Sequence, residues 1–210
     1  MAKLLYIQAS PQGKRSMSMT AADAFVEAYQ EKNPRDQVLV LNVFQAAIPS
    51  FDGLTVEAKY AILHGKPHTD EQMRVWKNVE QLIERFKSAD KYVLAVPMWN
   101  FGIPYKLKQY IDVLVQPGYT FSYNPKEGYK GLVTGKPVLA VYARGGEYEN
   151  SPDGQAADMQ KKYIELIFGF MGFTDFRSVI IEPTLEKGEA VAKQKCNEAI
   201  EQLKKIAEEF

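Results

Sequence analysis

The residues best suited to hold a charged ligand lie within the first twenty positions. Ser10, Ser16 and Ser18 surround Pro11, Gly13 and Lys14, just after the apolar run Leu4-Leu5-Tyr6-Ile7. That run predicts a short strand buried on both faces. Beyond Ser16 the period lengthens, with Ala21, Phe25, Ala28 and Tyr29 at helical spacing. The order is thus strand, hydroxyl-rich loop, helix. A helix N-terminus presents unpaired N–H groups and roughly half a positive charge, which favours a phosphate. Serine hydroxyls add donors around the same anion. Helix capping accounts equally well for Ser16 or Ser18 taken alone, since serine is a preferred N-cap. A triphosphate-binding P-loop is a poor match: Arg15 follows Gly13-Lys14 where Ser or Thr is required, and Gln8 stands in place of the leading glycine. The dinucleotide fingerprint G-x-G-x-x-G is also missing.

A second segment, Pro97-Met-Trp-Asn-Phe-Gly-Ile-Pro104, sets large apolar groups where a loop is normally polar. Its prolines stiffen it, and Gly102 permits close backbone approach. Met98, Trp99 and Phe101 suit one wall of a flat aromatic ligand, and Asn100 can both donate to and accept from a ring edge. Packing of a strand end against the next helix explains Met98 and Phe101 as well, but not a Trp and an Asn between two prolines. A third segment, Ala143-Arg144-Gly145-Gly146, could turn main-chain N–H groups toward a ligand, although two glycines also make an ordinary turn. A phosphate cradle, a flat apolar wall and a glycine turn are together what a flavin mononucleotide (FMN) needs.

The remaining chain must bring these segments together. With 210 residues it fits one domain, residues 1–210, large enough to bury a full core. Lys+Arg and Asp+Glu balance at 26 each, so no bulk charge draws the chain to nucleic acid or anionic membrane. No apolar run is long enough to span a membrane, no signal peptide is evident, and the lone Cys196 excludes an intramolecular disulfide framework. A cytoplasmic protein is expected. Further strands are predicted at Gln37–Asn42, Tyr92–Pro97, Pro137–Tyr142 and Phe176–Ile181. Helices are predicted from Thr55 to His64, from Thr69 or Asp70 through Phe86, after Pro104, from Asp153 to Phe170, and from Glu186 to about Glu208. Their apolar faces read Met73, Trp76, Val79, Leu82, Ile83, Phe86; then Met159, Tyr163, Ile167, Phe170; then Ala192, Cys196, Ala199, Leu203, Ile206. Residues of about 118–135 are aromatic and turn-rich, which predicts a small hairpin or ordered loop. Five apolar strands alternating with helices predict an α/β fold, a doubly wound five-stranded parallel sheet with helices on both faces. Its ligand crevice lies at the carboxyl ends of the strands, where all three segments fall.

The motifs Ser10-Pro11-x-Gly13-x-x-Ser16-x-Ser18, Pro97-Met98-x-Asn100-Phe101-x-Ile103-Pro104 and Arg144-Gly145-Gly146 resemble those of the FMN-dependent NADH azoreductases, flavodoxin-like quinone and azo-compound reductases. The resemblance covers essentially the whole chain, and the middle motif is the most specific. It implies that Ser10, Ser16, Met17 and Ser18 hold the phosphate and ribityl end. Pro97, Met98, Trp99, Asn100 and Phe101 would line the isoalloxazine, with Arg144, Gly145 and Gly146 on its pyrimidine side. It sets Phe121 and Tyr123, with Asn100, on the substrate side. Gln12, Trp99 and Ala143 depart from the commoner Arg, Tyr and Ser. The resemblance also implies a homodimer with its active site at the interface.

The reaction so implied passes a hydride from NADH or NADPH through flavin N5 to a quinone or azo compound in two steps, with no catalytic side chain and no metal. No basic pair marks a 2′-phosphate site. A flavodoxin-type electron carrier is the rival, but such carriers are typically shorter and acidic. A flavin-free signalling module of the same fold is a further rival, which a colourless protein would favour. His64 and His68, in an interhelical loop, and Cys196, on a buried helical stripe, are expected to be dispensable.

Overall fold

Alternation within the strands divides the core into two layers. The computed structural model describes residues 1–210. Its main sheet comprises β1 (Lys3–Gln8), β2 (Gln37–Asn42), β3 (Lys91–Pro97), β6 (Val138–Ala143) and β7 (Phe176–Ile181). All pair in parallel, in the order β2-β1-β3-β6-β7. Between β3 and β6 lie β4 (Phe121–Asn124) and β5 (Gly128–Gly131), an antiparallel hairpin. Leu4, Tyr6, Val93, Ala95, Leu139 and Val141 face one side and bury Phe25, Tyr29, Cys196 and Leu203 of α1 (Met17–Lys32) and α7 (Gly188–Glu209). The intervening Leu5, Ile7, Tyr92, Leu94, Val138 and Ala140 face the other side. They pack with α3 (Asp70–Lys87), α4 (Tyr105–Leu114) and α6 (Met159–Met171), which supply Ile83, Phe86, Ile111 and Phe168. Residues buried on both faces are why the strands read as unbroken apolar runs. The strand order reverses between β1 and β3, so the crevice opens at their carboxyl ends.

Helix boundaries follow their caps. Asp52 accepts from Thr55 N and starts α2 (Gly53–Leu63), and Gly65, at φ +63°, follows its end. Thr69 and Gln72 form a reciprocal capping box at α3.

Several expectations need correction. β2, expected as one of five apolar strands, is an edge strand with Val40 half exposed. Met73 is exposed, because the buried stripe of α3 starts at Trp76. The single helix expected from Asp153 to Phe170 is two, α5 (Pro152–Ala157) and α6. The break is Asp158, whose extended backbone (ψ +92°) lets its carboxylate cap α6 through the N–H groups of Gln160 and Lys161. The buried stripe of α6 is Gln160, Ile164, Phe168 and Met171, one position beyond the expected Met159, Tyr163, Ile167 and Phe170. A buried glutamine hid this stripe from a reading of apolar residues. On α7, Ile206 is only partly buried and Ala207 takes the core position.

Candidate active site

The N-terminus of α1 opens beside β1 with its donors uncommitted. Ser16 is the N-cap residue, yet its hydroxyl accepts no N–H from the helix. Instead Ser16 Oγ lies 3.2 Å from Ser18 Oγ, and both residues are buried. The first-turn N–H groups have no intrahelical partner by geometry. Buried hydroxyls and free N–H groups at one helix end form a cradle for an anion. Capping is therefore not the use of Ser16. Ser10 is buried, and its Oγ accepts Gln12 N at 3.3 Å, so it also shapes the turn.

The second segment folds back on itself. Trp99 N donates to Gly102 O at 3.0 Å and Gly102 N to Trp99 O at 2.9 Å. Both central residues have positive φ, Asn100 at +48° and Phe101 at +66°. Such a two-residue turn favours Asn and Gly. Asn100 suits it; Phe101 is strained there, at roughly 1–3 kcal/mol. Met98 N donates to Ala143 O at 2.8 Å, which ties this loop to the end of β6. Trp99 packs against Phe44 and Tyr105, with ring centroids 5.7 and 6.4 Å away.

Between these loops lies a cleft of about 300 Å³, lined by Gln12, Arg15, Ser16, Met17, Pro97, Met98, Trp99, Ala143, Gly145, Thr184 and Leu185. Of the expected residues, Ser16, Met17, Pro97, Met98, Trp99 and Gly145 come together here. Ser10 and Ser18 stand behind the wall, and Gly146 lies one residue beyond it. Asn100 and Phe101 are exposed at the outer tip of their turn. Phe121 and Tyr123 line no part of the cleft. Their rings pack on Phe170 and Tyr129, at centroid distances of 4.7 and 4.9 Å. Arg144 is the clear correction: its side chain is fully buried and paired with Asp158 and Glu182, so its guanidinium does not reach the cleft. Arg15, Thr184 and Leu185 are additions. Thr184 and Leu185 follow the carboxyl end of β7, a position the strand-end logic already marks, though no glycine or aromatic run stands there.

A larger cavity of about 850 Å³ lies on the other side of the Trp99–Gly102 turn, with Phe51, Ile103, Tyr105, Met159 and Tyr163 in its walls. Burial pushes the Tyr163 phenol up to about 12, so it stays protonated at neutral pH. No cluster of three or more His, Cys, Asp or Glu side chains is arranged to hold a metal ion, and no helix is long and apolar enough to cross a membrane.

Comparison with known proteins identifies the fold and the family. A family model described as "Flavodoxin-like fold" matches residues 2–207. An FMN-dependent NADH:quinone oxidoreductase of Nitratidesulfovibrio vulgaris is 53% identical over 210 residues, covering 100% of both chains. One of Desulfotalea psychrophila is 43% identical over 185 residues, 88% of this chain and 87% of that one. Among solved structures, an azoreductase from Bacillus anthracis superposes with TM-score 0.91 at 29% identity, covering 100% of both chains. An FMN-dependent NADH-azoreductase from the same species, in complex with FMN, gives TM-score 0.87 at 29% identity, covering 99% and 100%. The chain belongs to the flavodoxin-like family, in its group of FMN-dependent NADH:quinone oxidoreductases and azoreductases.

Proposed function

We propose that this chain is an FMN-dependent NADH:quinone oxidoreductase and azoreductase, working as one FMN-binding domain over residues 1–210 and as a homodimer. The observation that carries the reading is the uncapped N-terminus of α1, where the hydroxyl of Ser16 lies in the same cleft as Met98 and Trp99 and is backed by the buried Ser18 hydroxyl. When bound, FMN supplies the hydride chemistry between nicotinamide and acceptor.

The chain's own residues bind and orient. Ser16, Met17 and Ser18 would hold the phosphate, with Ser10 setting the turn and Arg15 adding positive charge at the cleft. Pro97, Met98 and Trp99 would cover one face of the ring and exclude water from it. The N–H groups of Gly145 and Gly146 donate to no acceptor within the chain and are available to a ring edge. Thr184 and Leu185 complete that side. Asn100, Phe101 and the hairpin residues Phe121 and Tyr123 lie outside the cleft of one subunit, so a substrate-side role for them calls on a second copy. Exposed Tyr105 and Met159, both in the wall of the larger cavity, support such a dimer. The free Cys196 and the lack of disulfides support a cytoplasmic setting.

Nicotinamide and acceptor would use the same open face in turn. The test is NADH oxidation by FMN-loaded protein at several quinone concentrations. Parallel double-reciprocal lines are expected. Intersecting lines would reject the shared face. Tight FMN binding without NADH oxidation would point to an electron carrier instead. NADPH in parallel assays decides the donor.

A further inference from the structure

Arg144 is among the largest fully buried side chains, although it sits at the carboxyl end of the sheet, beside the cleft. A buried guanidinium is tolerated only when its donors are matched. Here they are matched in three directions. Nη2 donates to Asp158 Oδ2 at 2.6 Å, Nε to Gln160 Oε1 at 2.9 Å, and Nη1 to Glu182 Oε2 at 3.2 Å.

Each acceptor in turn holds backbone at the edge of the cleft. Asp158 caps α6, whose first residue, Met159, donates its N–H to Phe101 O at 2.9 Å. Gln160 Nε2 donates to Val96 O at 2.8 Å, just before Pro97 and Met98. The apolar wall is thereby held at both ends. Glu182 accepts Tyr148 N at 3.1 Å and Glu149 N at 2.9 Å, and Glu186 accepts Glu147 N at 3.2 Å. Three consecutive N–H groups are therefore committed to carboxylates, two of them to Glu182, the partner of Arg144, and one to the exposed Glu186. Gly145 and Gly146, immediately before them, keep theirs without an acceptor. Arg144 O, for its part, accepts Thr184 N and Oγ1, both at 2.8 Å.

We infer that Arg144 is a positioning residue for the flavin ring, fixing the 97–101 wall and the Gly145-Gly146 donors relative to each other from behind. The inference rests on the FMN reading of the cleft. It assigns Arg144 no contact with the ring, and it assigns Asp158, Gln160 and Glu182 a shared role. The phosphate cradle at Ser16 and Ser18 stands outside this cluster, so the clamp acts on one end of the ligand only.

The test is Arg144→Lys in the full chain, since a lysine keeps the charge but cannot reach three acceptors in a planar fork. FMN and riboflavin affinities are measured by flavin fluorescence quenching, and the midpoint potential of bound FMN by reductive titration. Both affinities should fall about tenfold, the scale of one lost hydrogen bond to the ring. The FMN-to-riboflavin ratio should stay constant, because the phosphate end is untouched, and the potential should shift. Glu182→Gln, close to isosteric, should move the same readouts in the same direction and serves if the lysine variant does not fold. Affinities and potential equal to wild type in the folded variants would overturn the clamp. So would a fall in the FMN-to-riboflavin ratio, which would mean that the effect reaches the phosphate end. Wild-type protein that binds no FMN would instead overturn the reading of the cleft itself.

Discussion

At the scale of single residues, the hydroxyl of Ser16 does not cap the helix and pairs with Ser18 Oγ instead. Ser16→Asp puts a carboxylate in the anion cradle. At ~4 Å and an effective dielectric of ~20, each pair of like charges costs about 4 kcal/mol. Half of that, after solvent screening, weakens FMN binding roughly thirtyfold at ~1.4 kcal/mol per decade. Equilibrium dialysis of the variant checks it, and wild-type affinity would remove the phosphate from Ser16. The residues that look most like catalysts behave oppositely. His64 is exposed and stacks on Tyr60 at 5.9 Å, outside both cavities. His68 lines neither cavity. Cys196 is buried on α7, and burial raises its thiol pKa, which lowers its thiolate fraction. The triple variant His64→Asn, His68→Asn and Cys196→Ala is expected to keep turnover within a few-fold of wild type. A large loss of activity with FMN still bound would show that one of them takes part in the chemistry.

At the scale of elements, strain and break points carry the information. The Trp99–Gly102 turn requires positive φ at Phe101, so the usual ranking of small residues inverts there. Phe101→Ala and Phe101→Gly lose the same ring, but only alanine keeps the Cβ penalty. The glycine variant should be more stable by about 1 kcal/mol, or roughly 2–4 °C in melting temperature. An alanine variant that melts higher would mean that the turn relaxes in solution. The junction of α5 and α6 offers a pH test. Glu165 on α6 has its pKa raised, chiefly by burial, with Asp158 and Glu149 adding to the effect and Lys161 and Arg144 opposing it. A raised carboxyl pKa means that the folded state binds the proton more tightly. The associated stability is present below the unfolded pKa and is lost as pH rises through the folded one. Glu165→Gln removes that dependence. It should raise the melting temperature at pH 8 and leave it nearly unchanged at pH 4. An equal gain at both values would assign the effect to packing.

At the scale of the whole molecule, strand identities and sheet class were legible because strands buried on both faces leave unbroken apolar runs, as in Tyr92–Pro97 and Val138–Ala143. The site loops were legible because they sit at strand ends. The Arg144 cluster was not, since its partners lie 14, 16 and 38 residues away and no local period links them. Beside Gly145 and Gly146, Arg144 reads as part of a ligand turn, and only burial shows it pointing inward. The docking of the β4–β5 hairpin was equally hidden, because it depends on two glycines meeting across the fold. A Cβ on Gly131 would stand 2.3 Å from Gly172 N and 2.4 Å from Gly172 Cα. Both are backbone atoms and cannot swing aside. Gly172 is also the left-handed C-cap of α6, at φ +112°, so its position is fixed by the end of that helix. Gly131→Ala must therefore lift the hairpin from α6. That stretches the Val133 N to Met171 O bond, 2.8 Å in the intact fold, and parts Phe121 from Phe170. Overpacking of this kind costs about 1–3 kcal/mol. The cleft that would hold FMN includes no hairpin residue, so FMN affinity should hold while the melting temperature drops. If Phe121 and Tyr123 serve the substrate side of a dimer, KM for the quinone should rise as well. A variant that loses FMN in step with its stability would show that the hairpin and the cofactor cleft unfold as one unit.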